Sequence, residues 1–487
     1  MSQEIRNLEP KQLWNKFADL NAVPRPSKKE ERVIEFVVNF GKSLGLETFL
    51  DDVKNVIIRK PATAGMENRK TIVLQSHLDM VHQKNSDTVF DFDNQGIEMY
   101  VDGDWVRAKG TTLGADNGIG VATIMAILES KDIAHPAIEA LFTIDEETGM
   151  TGALGLKGGI LKGEILLNLD TEEDTDITIG CAGGVDVTAT RKYNQVTTPN
   201  NVIGYSVNVK GLSGGHSGMD IHKGLGNANK IMNRLLYNGL EKFSLQVAEI
   251  NGGSLRNAIP RESSAKIVIA EKSTTSFIKE FEALSNIIKT EFKTVEPNLT
   301  IELTKIDAPA KVMDSEVQKT IVKAIYAAQN GVYRMSNTMK DLVETSNNIA
   351  RILIKDGEIL IACLTRSSVE TSKNDLANSL QSAFELASCQ VTQTGSYPGW
   401  TPNVSSPILD VLASVYQKQN NSKPNVVACH AGLECGILGT NYPNMDMVSF
   451  GPTIRGAHSP DERASISSVQ KYWNYVLEIL VNIPLKK

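Results

Sequence analysis

The sequence predicts an α/β fold that carries an inserted α+β domain. Three observations point there: short apolar runs alternate with helical patterns at the start, the texture shifts to longer alternating strands from about Gly184, and the first texture returns near Tyr397. The expected layout is a discontinuous domain of residues 1–183 and 397–487, with residues 184–396 inserted into it.

Each element follows from local pattern. Leu13, Phe17 and Leu20 lie near helical spacing, and Pro24-Arg25-Pro26 ends that run. Ser27 to Glu30 reads as a capping box for a second helix whose apolar face is Val33, Phe36, Val37 and Phe40. Residues 56–58, 71–75, 140–144 and 165–169 are short apolar runs of buried-strand type, and residues 121–128 read as a helix between them. In the insert, residues 205–210 alternate as a strand does, and residues 225–240 and 275–292 read as helices. A similar series recurs between about 300 and 394, with strands at 350–354 and 359–364 and a helix at 374–388, so an internal duplication is expected. Residues 396–400, Ser-Tyr-Pro-Gly-Trp, mark the return. A helix at 408–417, a strand at 445–450 and a final helix from about 465 complete the chain.

Composition narrows the function classes. Hydrophobic residues make 41% and charged residues 22%, an ordinary globular balance. The net charge of -7 and the lack of a basic stripe argue against nucleic acid as a partner. No apolar run approaches the roughly 18 residues of a membrane span, and the start lacks the apolar core of a signal peptide. The five cysteines are scattered and form no C-x-x-C pair, so a cytoplasmic protein is expected.

The chemistry-bearing residues stand just past strands or before a helix. Residues 71–75 lead into Ser76-His77-Leu78-Asp79; Gly114-Ala115-Asp116-Asn117-Gly118 precedes a helix; residues 141–144 lead into Asp145-Glu146-Glu147; residues 165–169 lead into Asp170; and Gly456-Ala457-His458 follows a late strand. Open α/β sheets bind ligands at the carboxyl ends of their strands, so these loops are expected to converge. Zinc takes imidazole nitrogen and carboxylate oxygen, and a zinc pair needs one bridging carboxylate and two further ligands each. His77, Asp116, Glu147, Asp170 and His458 meet that count with Asp116 as bridge. Glu146 is left as a base for water, and Asp79 as the acid that orients His77. Singly, each motif is ordinary cap, turn or solvated-acid chemistry. Capping does not explain why all five occur in order at strand ends.

These motifs together, Ser76 to Val81, Gly114 to Gly120, Asp145 to Gly149, Asn168 to Asp170 and Gly456 to Glu462, resemble those of the M20 zinc peptidases, in particular the aminoacyl-histidine dipeptidase branch. The resemblance spans essentially the whole chain. It implies a zinc-peptidase (phosphorylase/hydrolase-like) catalytic domain with an α+β lid, two divalent metal ions (zinc, with manganese or cobalt as alternatives), and hydrolysis of dipeptides, Xaa-His included. It implies that Asp116 bridges, that Glu147 and His458 complete one metal site and His77 and Asp170 the other, and that the Asp116–Asn117 peptide is cis. In the lid it implies that His216 stabilises the oxyanion and that Asn257 and Arg366 hold the substrate carboxylate or backbone. Glu434 falls where related enzymes carry a loop acid, to meet a substrate amine or to act as a helix N-terminal acid. A small peptide is the expected partner, and a homodimer is an assembly the resemblance allows.

Competing readings keep the scaffold and change the bond, to a tripeptidase or an N-acyl amino acid amidohydrolase, or keep the metals and lose catalysis. An inactive relative is expected to have lost Glu146 or Asp79, and both are present. A nucleotide enzyme is disfavoured, because Gly211 to Gly218 lacks the Gly-Lys-Ser/Thr of a phosphate loop.

Overall fold

A computed structural model describes residues 3–486. The chain divides into two compact units. Unit 1 comprises residues 1–180, 402–428 and 433–487, and unit 2 residues 181–401 and 429–432.

After a single helical turn at Gln3–Arg6, unit 1 continues with helices α1 (Lys11–Asn21) and α2 (Glu31–Ser43). Leu13, Trp14, Phe17 and Leu20 of α1 are buried, each such side chain stabilising the fold by roughly 1.5–3 kcal/mol. The capping box ahead of α2 does not form. Ser27 donates its hydroxyl to the Met80 carbonyl, and Glu30 accepts the N–H groups of Lys28 and Asp145 instead. Partners distant in sequence outcompete the local cap.

The main sheet contains β1 (Glu47–Leu50), β2 (Val56–Lys60), β3 (Ile72–His77), β4 (Ile138–Thr143), β5 (Ile165–Asn168), β6 (Asp176–Cys181), β7 (Asn425–Cys429) and β8 (Asp446–Ser449), in the order β1-β2-β4-β3-β5-β8-β6-β7. Its centre, β4-β3-β5-β8, is parallel, while β1, β2 and β6 join antiparallel. Strands β3, β4 and β5 are buried along their whole length, the pattern of a sheet covered on both faces. Helix α3 (Ala115–Glu129) packs against β3 and α1, and its backbone is regular only beyond Asn117. Gly120 makes that approach possible: a Cβ there would lie 2.4 Å from both Ser76 Oγ and Asn117 Oδ1.

Unit 2 is built on a nine-stranded antiparallel sheet. Strands Val202–Lys210, Gln246–Gly252, Ser263–Ala270 and Thr300–Ile306, with helices Ala228–Phe243 and Thr274–Phe292, follow a βαββαβ order and sit 4-1-3-2 in the sheet. Strands Gly183–Lys192, Val343–Lys355, Glu358–Ser367 and Gln390–Tyr397, with helices Ser315–Ala327 and Glu370–Glu385, repeat the same order from the opposite edge. The halves meet where Ile250 pairs with Ile354 and Gly252 with Ile352. Alternate strand residues such as Val185, Val187 and Ala189, or Tyr205, Val207 and Val209, enter one core with all four helices. Among the described residues no helix is long and apolar enough to cross a membrane.

Candidate metal centre

Seven expected site residues gather in unit 1. His77 ends β3, Asp170 lies just beyond β5, Glu146 and Glu147 follow β4, and Asp116 lies at the start of α3. His458 sits on the hairpin between the short strands Ile454–Arg455 and Arg463–Ser465, with its backbone in the left-handed region at φ 62°. Parallel strands end on the same side, which is why loops far apart in sequence meet there.

Asp116 stands at the centre of the group. Its Oδ1 is 3.3 Å from His77 Nε2, and its Oδ2 is 3.2 Å from His458 Nε2. His77 Nε2 also lies 3.6 Å from Asp170 Oδ1, and His458 Nε2 3.0 Å from Glu147 Oε2. The result is two ligand triads, His77–Asp116–Asp170 and Asp116–Glu147–His458, each with its ligand atoms within 4.8 Å of one another and sharing one carboxylate. Glu147 Oε1 is buried and accepts no hydrogen bond, so acceptor capacity is left over inside the cluster. This nitrogen–oxygen donor set, with its orphaned oxygen, suits a pair of divalent cations. The Asp116–Asn117 peptide is cis.

Asp79 is fully buried beneath the cluster. Its Oδ1 is 3.3 Å from His77 Nδ1, and its carboxylate accepts the N–H groups of Glu146 at 3.0 Å and Glu147 at 3.3 Å. One side chain thus ties the imidazole to the acidic loop and leaves Nε2 of His77 facing Asp116 and Asp170.

The charges respond to this crowding. Hydrogen bonds that His458 donates to the Asp116 and Glu147 carboxylates raise it to about 11, against the effect of burial. Burial opposes protonation of His77, but Asp170, Asp116 and Asp79 outweigh it and hold the ring well above its ordinary value. Burial, then the Asp170, Glu434 and Glu147 carboxylates, push Glu146 well up, with His77 pulling the other way. A divalent cation competes with protons for these same ligand atoms.

Glu434 opens the helix Glu434–Asn441 and is completely buried. Its Oε2 accepts from Gln75 Nε2 at 2.6 Å and Thr143 Oγ1 at 2.7 Å, while Oε1 has no partner. Burial, with Asp170 and Asp79 adding to it, pushes the carboxyl up to about 7, against His77 and the Thr143 hydroxyl. Gln75 also accepts from Asn168 Nδ2 at 2.5 Å, so polar side chains link β3, β4 and β5 below the ligands. These supports went unnoticed in the sequence, although Gln75, Thr143 and Asn168 each interrupt an apolar strand run, which is a readable signal.

The lid candidates lie in unit 2. His216 pairs with Ala258, which brings Asn257 onto the neighbouring segment, and Ser217 N–H donates to the Asn257 carbonyl at 2.8 Å. Nδ1 of His216 accepts from the N–H groups of Gly218 and Met219 at 3.2 and 3.0 Å. Acceptance at Nδ1 assigns the neutral ring's proton to Nε2, which makes Nε2–H a donor. Arg366 is buried, donates to the Tyr397 hydroxyl at 2.9 Å, and keeps its Nε without a partner. His430, outside the expected pattern, is buried beside it with Nε2 2.8 Å from Ser346 Oγ.

Known proteins share this architecture. The profile of peptidase family M20/M25/M40 matches residues 73–482. The cytosol non-specific dipeptidase of Escherichia coli is 44% identical over 483 residues, 99% of this chain and 100% of that protein. The crystal structure of aminoacylhistidine dipeptidase from Vibrio alginolyticus superposes with a TM-score of 0.95 at 44% identity, covering 100% of this chain and 99% of that one. A tripeptidase from Staphylococcus aureus shares the fold at a TM-score of 0.58 and 16% identity, covering 98% and 99% of the two chains. The profile match and the full-length identity agree with the ligand-bearing strand ends: this chain belongs to peptidase family M20/M25/M40.

Proposed function

We propose that the protein is a dinuclear metallo-dipeptidase that hydrolyses free dipeptides, Xaa-His among them, with zinc as its metal. The observation that carries this reading is the shared Asp116, whose two oxygens face separate His–carboxylate pairs. The dipeptide class follows from the names of the Escherichia coli and Vibrio alginolyticus relatives.

His77, Asp116 and Asp170 would hold one cation, and Asp116, Glu147 and His458 the other. When bound, such a pair polarises the scissile carbonyl and lowers the pKa of water from 15.7 towards about 7. Glu146 takes the proton of the attacking water and returns it to the leaving amine, a task suited to a carboxylate of raised proton affinity. Asp79 orients His77 and fixes the loop that carries Glu146. His216 offers its Nε2–H to the oxyanion, and Asn257 and Arg366 hold the substrate backbone and carboxylate. Glu434, fully buried, braces Gln75 and Thr143 through Oε2 and opens its helix as an N-terminal acid, with Oε1 left to meet a substrate amine. The proposed compartment is the cytoplasm, supported by the name of the Escherichia coli relative, and the proposed assembly is a homodimer, which light scattering reads directly.

Metal analysis together with a substrate panel tests the reading. Two equivalents of zinc per chain and chelator-sensitive cleavage of β-alanyl-histidine and other dipeptides are expected. Faster turnover of tripeptides or N-acyl amino acids would move the enzyme to a different activity on the same scaffold.

A further inference from the structure

Two buried, oppositely charged residues outside the ligand set grip the loop that presents Asp116. Glu462 is 2% exposed, and its carboxylate accepts four consecutive backbone N–H groups. Oε2 takes Leu113 at 2.7 Å and Gly114 at 2.9 Å, and Oε1 takes Ala115 at 2.8 Å and Asp116 at 3.2 Å. Both carboxylate oxygens are thereby used on one loop.

Arg25 is 1% exposed and works on the carbonyl side of the same loop. Its Nη2 donates to the Gly114 carbonyl at 2.5 Å and to Asn21 Oδ1 at 3.0 Å. Its Nη1 donates to the carbonyls of Leu78 at 3.1 Å and Asp79 at 3.2 Å, in the loop that follows His77. Glycine makes room for the guanidinium: a Cβ on Gly114 or Gly118 would lie 2.5 or 2.6 Å from Nη2. Burying an arginine is costly unless its donors are used. Here Nη1 and Nη2 are used while Nε is not, and the fork they form joins the His77 loop to the Asp116 loop, with Glu462 holding the latter from its N–H side.

We infer that Arg25 and Glu462 are positioning residues that set the placement of Asp116 relative to His77, and thereby the affinity of the metal pair. This rests on the metallopeptidase reading above. Neither side chain needs to touch metal or substrate to have this effect. Residues that orient ligands in this way alter metal affinity by about 10–100-fold when replaced.

The test uses the full-length chain, stripped of metal and titrated with zinc in the absence of peptide. Glu462→Gln replaces one acceptor oxygen with an NH₂ group facing backbone N–H donors, and Arg25→Lys keeps the charge but loses the fork. Both variants are expected to fold, as judged by circular dichroism, and to bind zinc at least about tenfold more weakly than the wild type. Their kcat is expected to recover towards wild type as free zinc is raised, which a purely structural role would not produce. Wild-type zinc affinity in either folded variant overturns the inference. Failure of both variants to fold does so as well, since it assigns the pair to folding. If the wild type takes up no divalent cation, the metallopeptidase reading itself falls, an outcome distinct from equal affinity in variant and wild type.

Discussion

The two units concentrate opposite kinds of buried polarity. Unit 1 assembles Asp116, Glu146, Glu147 and Asp170 around two imidazoles, an excess of carboxylate that calls for cations. Unit 2 buries Arg366 and His430, with His216 half-buried, and Arg366 and His216 both act to keep His430 neutral. A cluster short of positive charge suits metal, whereas one holding a guanidinium with an unused Nε and an Nε2–H donor suits a carboxylate or an oxyanion. The contrast fits the roles proposed above: the strand ends of unit 1 have the donor set for metal chemistry, and the buried guanidinium of unit 2 has the donors for recognising an anion.

The largest effects should fall on unit 1. Asp116→Asn withdraws charge from both triads at once, so both cations should be lost and turnover should drop below detection, with metal content read by mass spectrometry. Glu146→Ala separates the base from the ligands. It should retain both metals while turnover falls by about 10²–10⁴, the usual worth of a general base. A metal-loaded Glu146→Ala enzyme running at the wild-type rate would erase the distinction between ligand and base.

An intermediate effect probes the recognition side. Arg366→Lys keeps a positive charge but loses the planar fork, so KM for dipeptides should rise while kcat changes less. The sharper readout is the ratio of activity on a dipeptide to activity on its C-terminal amide, which should shrink towards one. An unchanged ratio would place the carboxylate contact elsewhere.

What the sequence made legible follows from the range of the interactions. Strand ends, helix spans and the candidate ligand residues were readable because period and local motif encode them: β4, expected at 140–144, occupies Ile138–Thr143, and the helix expected at 275–292 occupies Thr274–Phe292. The duplication in unit 2 was visible only as a faint recurrence, because it lies in strand order and not in shared residues. The supports were silent. Glu462 meets partners some 350 positions away, and Arg25 reaches loops that follow it by more than 50. Ser27 and Glu30 show the converse, a local motif with two long-range partners that win.

The smallest effect tests whether unit 2 holds its histidine neutral. Burial lowers His430 from 6.5 to about 3, and the neighbouring Arg366, His216 and His222 add to it. The unfolded chain therefore binds one more proton than the folded one between those values. A depressed histidine of this kind contributes stability that is complete above about pH 6.5 and is lost as the pH falls towards the folded value. The slope amounts to about 1.4 kcal/mol per pH unit for one proton. His430→Gln can still hydrogen-bond Ser346 but cannot titrate, so the acid-side slope of stability between pH 6 and 4 should flatten by up to that amount. Denaturant titrations of wild type and variant across that range measure the slope directly, independently of any constant loss of stability in the variant. Parallel slopes would mean that His430 takes up its proton as readily in the folded state as in the unfolded one, and that burial beside Arg366 and His216 does not hold it neutral.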